Sequence, residues 1–188
     1  MTIKPEPWGR RSIRLQGYDY ASAGAYSVTL VTRDRQCLFG DIVDGQTRLN
    51  FWGQIARDEW EKSAQIRKEI DLDVFVVMPN HIHGIIVFTD APERATRRSP
   101  LQSGPTRRSL GAFVGGFKSV VTKRVDELRG SPGMPVWQRN YFEHVIRNED
   151  SLIRMRRYIL DNPAKWEFDR ENPSATKPES KDVWRIET

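Results

Sequence analysis

Two histidines separated by one bulky apolar residue, His81-Ile82-His83, carry the clearest chemical potential in this chain. Side chains alternate faces along an extended strand, so the two imidazoles share one face and Ile82 points to the other. Imidazoles paired in this way form half of a metal site; the bland alternative is two hydrogen-bonded histidines at a sheet edge. A second group lies in the C-terminal third, where Tyr158 and Asn162 stand four residues apart with Arg154 one turn earlier. On a helix that spacing makes them neighbours on one face. A phenol beside an amide oxygen can complete the site begun by His81 and His83. Asn162 is then a third metal ligand and Tyr158 a nucleophile aimed at a metal-polarised phosphate. Tyr141 is the rival nucleophile, although it adjoins a strand and has no amide one helical turn on. Asp161 is the rival oxygen donor, and Asn162 equally fits a plain helix end before Pro163.

Hydrophobic periodicity predicts the elements that must position these groups. An apolar run from Leu72 to Met78, the dipeptide Pro79-Asn80 and a second run from Ile82 to Phe88 predict a tight hairpin with the histidines opening its second strand. Tyr26 to Thr32 alternates and is β-branched, which predicts a strand. Residues 37–43 and 47–51 flank Asp44-Gly45, a hairpin turn signature. Trp52, Ile55, Ala56, Trp60 and Ala64 recur at helical spacing over about 52–67. Ser109 can cap a helix striped by Leu110, Phe113, Phe117, Val121, Val125 and Leu128, ended by Gly130 to Pro135. A strand over 142–147 and a last helix, capped by Asp150 or Ser151 and stopped by Asn162-Pro163, complete the pattern. Interleaved helices and hairpins predict an α+β fold, with helices packed on one face of a mostly antiparallel sheet.

The 188 residues suit one domain plus tails. A net charge of +5 and a pI near 9.5 fit a polyanionic partner. The single Cys37 excludes an internal disulfide and fits a reducing compartment; no apolar run is long enough to span a membrane. Residues 1–17 form a basic arm in which Arg10, Arg11 and Arg14 cluster, and residues 90–108 form a Pro- and Arg-rich loop predicted to be mobile. From about 168 the chain is charged, Pro-containing and expected to be a loosely held polar tail. Arg10, Arg11, Arg14, Arg107 and Arg108, with Lys118, Lys123, Arg139, His144 and Arg154, are candidates for DNA contact. Trp137 beside Arg139 suits base stacking or simple packing.

These residues reach a resemblance. His81-Ile82-His83 is similar to the HUH motif, and Tyr158-Ile159-Leu160-Asp161-Asn162-Pro163 to the tyrosine helix of single-tyrosine HUH transposases. More closely, residues 14–20, 77–84 and 137–144 resemble blocks of the REP-associated tyrosine transposases, in the same order, so that the likeness runs over about residues 10–167. It implies a ferredoxin-like (RRM-like) catalytic core over 18–167 and binding of single-stranded or palindromic hairpin DNA. It further implies strand cleavage and rejoining through a 5′-phosphotyrosine on Tyr158, with Mg²⁺ or Mn²⁺ as the ion. A bacterial cytoplasmic, nucleoid-associated protein, monomeric or homodimeric, follows from the same resemblance. The alternative is a domesticated hairpin binder that no longer cuts.

Overall fold

The computed structural model describes residues 19–20, 22–89, 109–130 and 133–179. The basic arm with Arg10, Arg11 and Arg14, and the loop with Arg107 and Arg108, lie outside the described residues. Strand β1 spans Gly24–Val31. After a 3-10 turn at Arg33–Arg35 come β2 (Gly40–Val43) and β3 (Gln46–Leu49). They pair around Asp44-Gly45, both at positive φ (53° and 71°), as a two-residue hairpin turn of this hand requires. Helix α1 (Phe51–Ile66) starts at Asn50, whose side chain accepts from the Trp52 and Gly53 N–H groups.

Strands β4 (Ile70–Val77) and β5 (His81–Phe88) form the expected hairpin. Its loop closes with the Met78 N–H donating to the His81 carbonyl at 2.8 Å. Helix α2 (Leu110–Arg129) is capped by Ser109 and ends on Gly130 in the left-handed conformation. Leu128, at the end of its stripe, is exposed. β6 (Phe142–Ile146) leads into α3 (Glu149–Asp161). The cap of α3 is Asn148, which accepts from Ser151 N–H, rather than Asp150 or Ser151.

Four strands form one antiparallel sheet in the order β4-β5-β1-β6; β2 and β3 stand apart as a ribbon. Alternation along β5 divides the molecule. Ile82, Ile86 and Phe88 pack with Tyr26, Val28 and Leu30 against α1 and α2. Ile85 belongs instead to a second cluster, with Ile146, Met155 and Ile159. The long helices therefore share one face, as expected, but α3 covers the other, so helices on a single face is corrected to helices on both. No described helix is long and apolar enough to cross a membrane.

A bulge in β4 between Leu72 and Phe75 keeps both side chains toward α1 and α2 despite their odd separation. Asp73, inside that bulge, accepts three hydrogen bonds from Arg156 of α3 at 2.7–3.1 Å, which ties the helix to the sheet edge. Gly84 is demanded by packing. A Cβ there would come within 2.4 Å of Trp60 Cζ2 and 3.1 Å of Phe75 Cβ. Gly84→Ala is expected to cost about 1–3 kcal/mol through overpacking, measured as a lower urea midpoint at unchanged m-value; an unchanged midpoint would contradict the close approach.

Candidate active site

The face of the sheet under α3 carries the predicted residues. His81 pairs in register with Val31, and His83 with Thr29 on one side and Val76 on the other. Both imidazoles are buried, with ring centroids 4.5 Å apart. Tyr158 descends from α3, its ring 5.5 Å from that of His83. Asn162 follows at the end of α3; its Oδ1 is buried without a hydrogen-bond partner, as is His81 Nε2.

An unpredicted residue completes the cluster. Past α3 the chain makes a 3-10 turn (Pro163–Phe168) and folds back. Trp166 comes to 6.1 Å from the His81 ring, and Asp169 Oδ2 lies 3.8 Å from His81 Nε2. Ligand atoms of His81, His83 and Asp169 lie within 4.8 Å of one another, and all three residues are buried. The expectation of a loose tail from about 168 is therefore corrected for its start, because Asp169 and Glu171 are 4% and 2% exposed. Residues 180–188 lie outside the described residues.

Hydrogen bonds orient the donors. Asn80 Nδ2 donates to the carbonyls of Arg35 (3.0 Å) and Glu171 (2.6 Å), which leaves Asn80 Oδ1 as acceptor. His81 Nδ1, 2.8 Å from that oxygen, must carry the proton. Nε2 is then left with a free lone pair facing Asp169, the arrangement by which an outer hydrogen bond selects the metal-binding tautomer. His83 Nδ1 lies 2.8 Å from the Thr29 hydroxyl. Glu171 is gripped by Arg35 Nε at 2.9 Å and Arg170 Nε at 3.0 Å. Its backbone N–H donates to Asp169 Oδ1 at 2.6 Å, so this anchor sets where Asp169 stands. Two imidazole nitrogens, a carboxylate and an unpartnered amide oxygen fit a divalent ion, and His81, His83 and Asp169 could hold one.

Burial pushes both histidines down to about 3. At His81 the Asn162 amide opposes this and the Arg170 charge adds to it. At His83 the neighbouring His81 adds to it and Asp169 opposes. Both are therefore neutral, and competent as ligands, at physiological pH. The unfolded chain protonates near 6.5 while the folded one resists, so stability is full above that value and drains as pH falls toward the folded value. Each imidazole removes up to about 1.4 kcal/mol per pH unit over this window. Melting temperature without metal is expected to fall between pH 7 and 5, above the range where ordinary carboxylates titrate; a flat profile there would refute the buried neutral pair. The Tyr158 phenol is raised, first by burial and then by the Asp169 and Glu179 carboxylates, with Arg170 opposing.

The other candidates are dispersed. Tyr141 packs with the core under α1 and α2. Asp161 pairs with Lys165 at 3.9 Å. Lys118, its ammonium lowered to about 8 by burial, donates to the carbonyls of Gln138 and Asn140, both at 2.8 Å. It clamps a loop instead of awaiting a phosphate. Lys123 lies on α2, on the far side of the sheet, beside Glu127 at 3.8 Å. Trp137 is buried against Phe39 and Phe117, so packing wins over base stacking. Arg139 and Arg154 are exposed. His144 pairs in register with Ser27, two strands from the histidine pair, and is absent from the metal-ligating cluster.

The fold is one seen among tyrosine transposases. A REP-associated tyrosine transposase, solved bound to a REP hairpin, superposes with TM-score 0.50 at 19% identity, over 82% of this chain and 74% of that one. The motifs that resemble that family thus sit on the corresponding fold. No family model matches the sequence. A protein of Haemophilus influenzae (strain Rd) whose function is uncharacterised is 38% identical over 167 residues, 86% of this chain and 92% of that protein. The chain belongs to the same family as that protein.

Proposed function

We propose that this family consists of REP-associated tyrosine transposases, and that the chain nicks and rejoins single-stranded or hairpin DNA through Tyr158. The observation that carries the reading is the convergence of a phenol from α3, two imidazoles from β5 and the Asp169 carboxylate on one face of the sheet. A divalent ion held by His81, His83 and Asp169, with Asn162 as a further oxygen donor, would supply Lewis-acid polarisation of the scissile phosphate. Imidazole donors favour Mn²⁺ over Mg²⁺, while the carboxylate and amide accept either.

The chain's own groups do the rest. Asn80 and Thr29 fix the two rings, and Glu171 fixes Asp169. Tyr158 Oη attacks phosphorus, and an Oη–P bond forms as the P–O3′ bond breaks. The phenol gives up its proton and O3′ gains one, leaving a 5′-phosphotyrosine and a free 3′-hydroxyl. One phosphoester replaces another, so an incoming 3′-hydroxyl can reverse the step and reseal a strand without ATP. The arginines of 1–17 and 90–108, with Arg139 and Arg154, would take backbone phosphates in a salt-dependent way. A cytoplasmic, nucleoid-associated protein acting as a monomer or homodimer is part of the same proposal.

The test is to incubate the protein with REP-type hairpin oligonucleotides and Mn²⁺, resolve the products on a denaturing gel, and map any protein–DNA adduct by peptide mass spectrometry. An adduct on Tyr158 is expected. Tight hairpin binding with no adduct under Mn²⁺ or Mg²⁺ would favour the domesticated, non-cleaving binder instead.

A further inference from the structure

One cation beside the site uses only part of its hydrogen-bonding edge in holding Glu171. Arg170 stands between Asp169 and Glu171, on the segment that folds back over the sheet. Its guanidinium lies over the ring of Phe142, Cζ to centroid 4.7 Å, and its Nε is 3.0 Å from Glu171 Oε1. Phe142 is the register partner of Thr29, which in turn pairs with His83. Arg170 is thus stacked on the sheet one strand beyond the Thr29–His83 pair, with its backbone adjoining Asp169. Its charge is felt throughout the cluster, disfavouring protonation of both histidines and favouring ionisation of Tyr158. Among the described residues its two terminal nitrogens have no hydrogen-bond partner.

A guanidinium held by its Nε and one face, with its outer edge unpaired among the described residues, is built to take an anion in a fixed orientation. Placing such a cation beside a dication seat is unfavourable unless an anion comes between them. Glu171 alone does not explain it, since Arg35 Nε already holds that carboxylate at 2.9 Å. We infer that Arg170 is a further catalytic residue, which donates to a non-bridging oxygen of the scissile phosphodiester and stabilises the charge that builds there as Tyr158 attacks. This rests on the tyrosine-transposase reading above. In that step Oη–P forms, P–O3′ breaks, one proton leaves the phenol and one arrives at O3′. Arg170 stays protonated throughout.

The test pairs R170Q with a change in the phosphate. The parent protein first locates the scissile position on the hairpin. A second oligonucleotide then carries a methyl group in place of one non-bridging oxygen there, which removes the charge. On the natural hairpin R170Q is expected to slow single-turnover adduct formation by about 10²-fold, the usual effect of losing one preorganised donor. Mn²⁺ affinity by titration and hairpin affinity in EDTA should match the parent. On the neutral phosphate the gap between parent and R170Q should nearly close, because the two changes remove the same interaction. R170K, which keeps the charge but loses the fork, should fall between them, and it carries the comparison if R170Q fails to fold. An equal deficit on both substrates, or a loss of Mn²⁺ affinity parallel to the loss of rate, would assign Arg170 to holding Glu171 and overturn the inference. So would an R170Q rate equal to that of the parent. If the parent itself forms no adduct, the reading beneath fails and takes this one with it; a cleaving parent beside an unimpaired R170Q sinks this one alone.

Discussion

Tyr158→Phe is expected to fold, to bind a hairpin as the parent does, and to form covalent adduct at least about 10³-fold more slowly, the scale of loss when a nucleophile is removed. The phenyl ring keeps its place beside His83 and the packing of α3 on Ile85 and Ile146. The hydroxyl has no hydrogen-bond partner among the described residues, so its removal strands no buried group. Fold and chemistry therefore separate cleanly in this variant. A water-using phosphodiesterase built on the same ion seat makes the opposite prediction, with little change in the rate of strand cleavage and no adduct in either protein. Cleavage by the variant at the parental rate, read on a denaturing gel, would remove the covalent mechanism. Rising pH should speed the parent further into the alkaline range than an ordinary phenol would dictate, since burial and the Asp169 and Glu179 carboxylates hold Tyr158 above its usual value.

What the sequence disclosed, and what it hid, follows from the reach of local patterns. His81 and His83 share a face because a strand alternates, and Tyr158 and Asn162 share one because a helix repeats every three to four residues. Both facts are local, and both elements stand as expected. That α3 covers the face opposite α1 and α2 was also written in the chain. Gly84-Ile85-Ile86-Val87-Phe88 is apolar without a break, the mark of a strand buried on both sides, whereas a sheet with one bare face alternates. Asp169 and Arg170 were not legible in this way. They lie in a 3-10 and turn segment with no period, and what brings them to the site is the grip of Arg35 and Asn80, remote in sequence, on Glu171. The available hint was Trp166 and Phe168 just past Pro163, two large aromatics out of keeping with a solvated tail. At Trp137 local reading left packing and base stacking both open, because Arg139 is a basic neighbour; packing holds, since the ring is enclosed by Phe39 and Phe117 from elements that local reading does not connect.

Replacing Asp169 separates the two candidates for third ligand. Asp169→Ala is expected to weaken Mn²⁺ binding by at least about 10²-fold, and adduct formation in parallel at limiting Mn²⁺; loss of even an outer-shell partner costs ten- to a hundred-fold. Asn162→Ala should cost less, because a neutral amide contributes less to a dication than a buried carboxylate does. Asp169 also accepts the Glu171 N–H at 2.6 Å, so the alanine variant loosens the turn as well as the seat. Asp169→Asn retains a side-chain oxygen for that bond and loses only the charge, and it should reproduce most of the loss in affinity while melting as the parent does. A second consequence has the opposite sign. The Asp169 carboxylate is one of the charges that hold Tyr158 protonated, so at saturating Mn²⁺ its removal should move the alkaline limb of the rate profile to lower pH. Should both Asp169 variants bind Mn²⁺ like the parent while Asn162→Ala does not, the ligand is the amide on α3, and Asp169 serves only to hold the phenol in its neutral form.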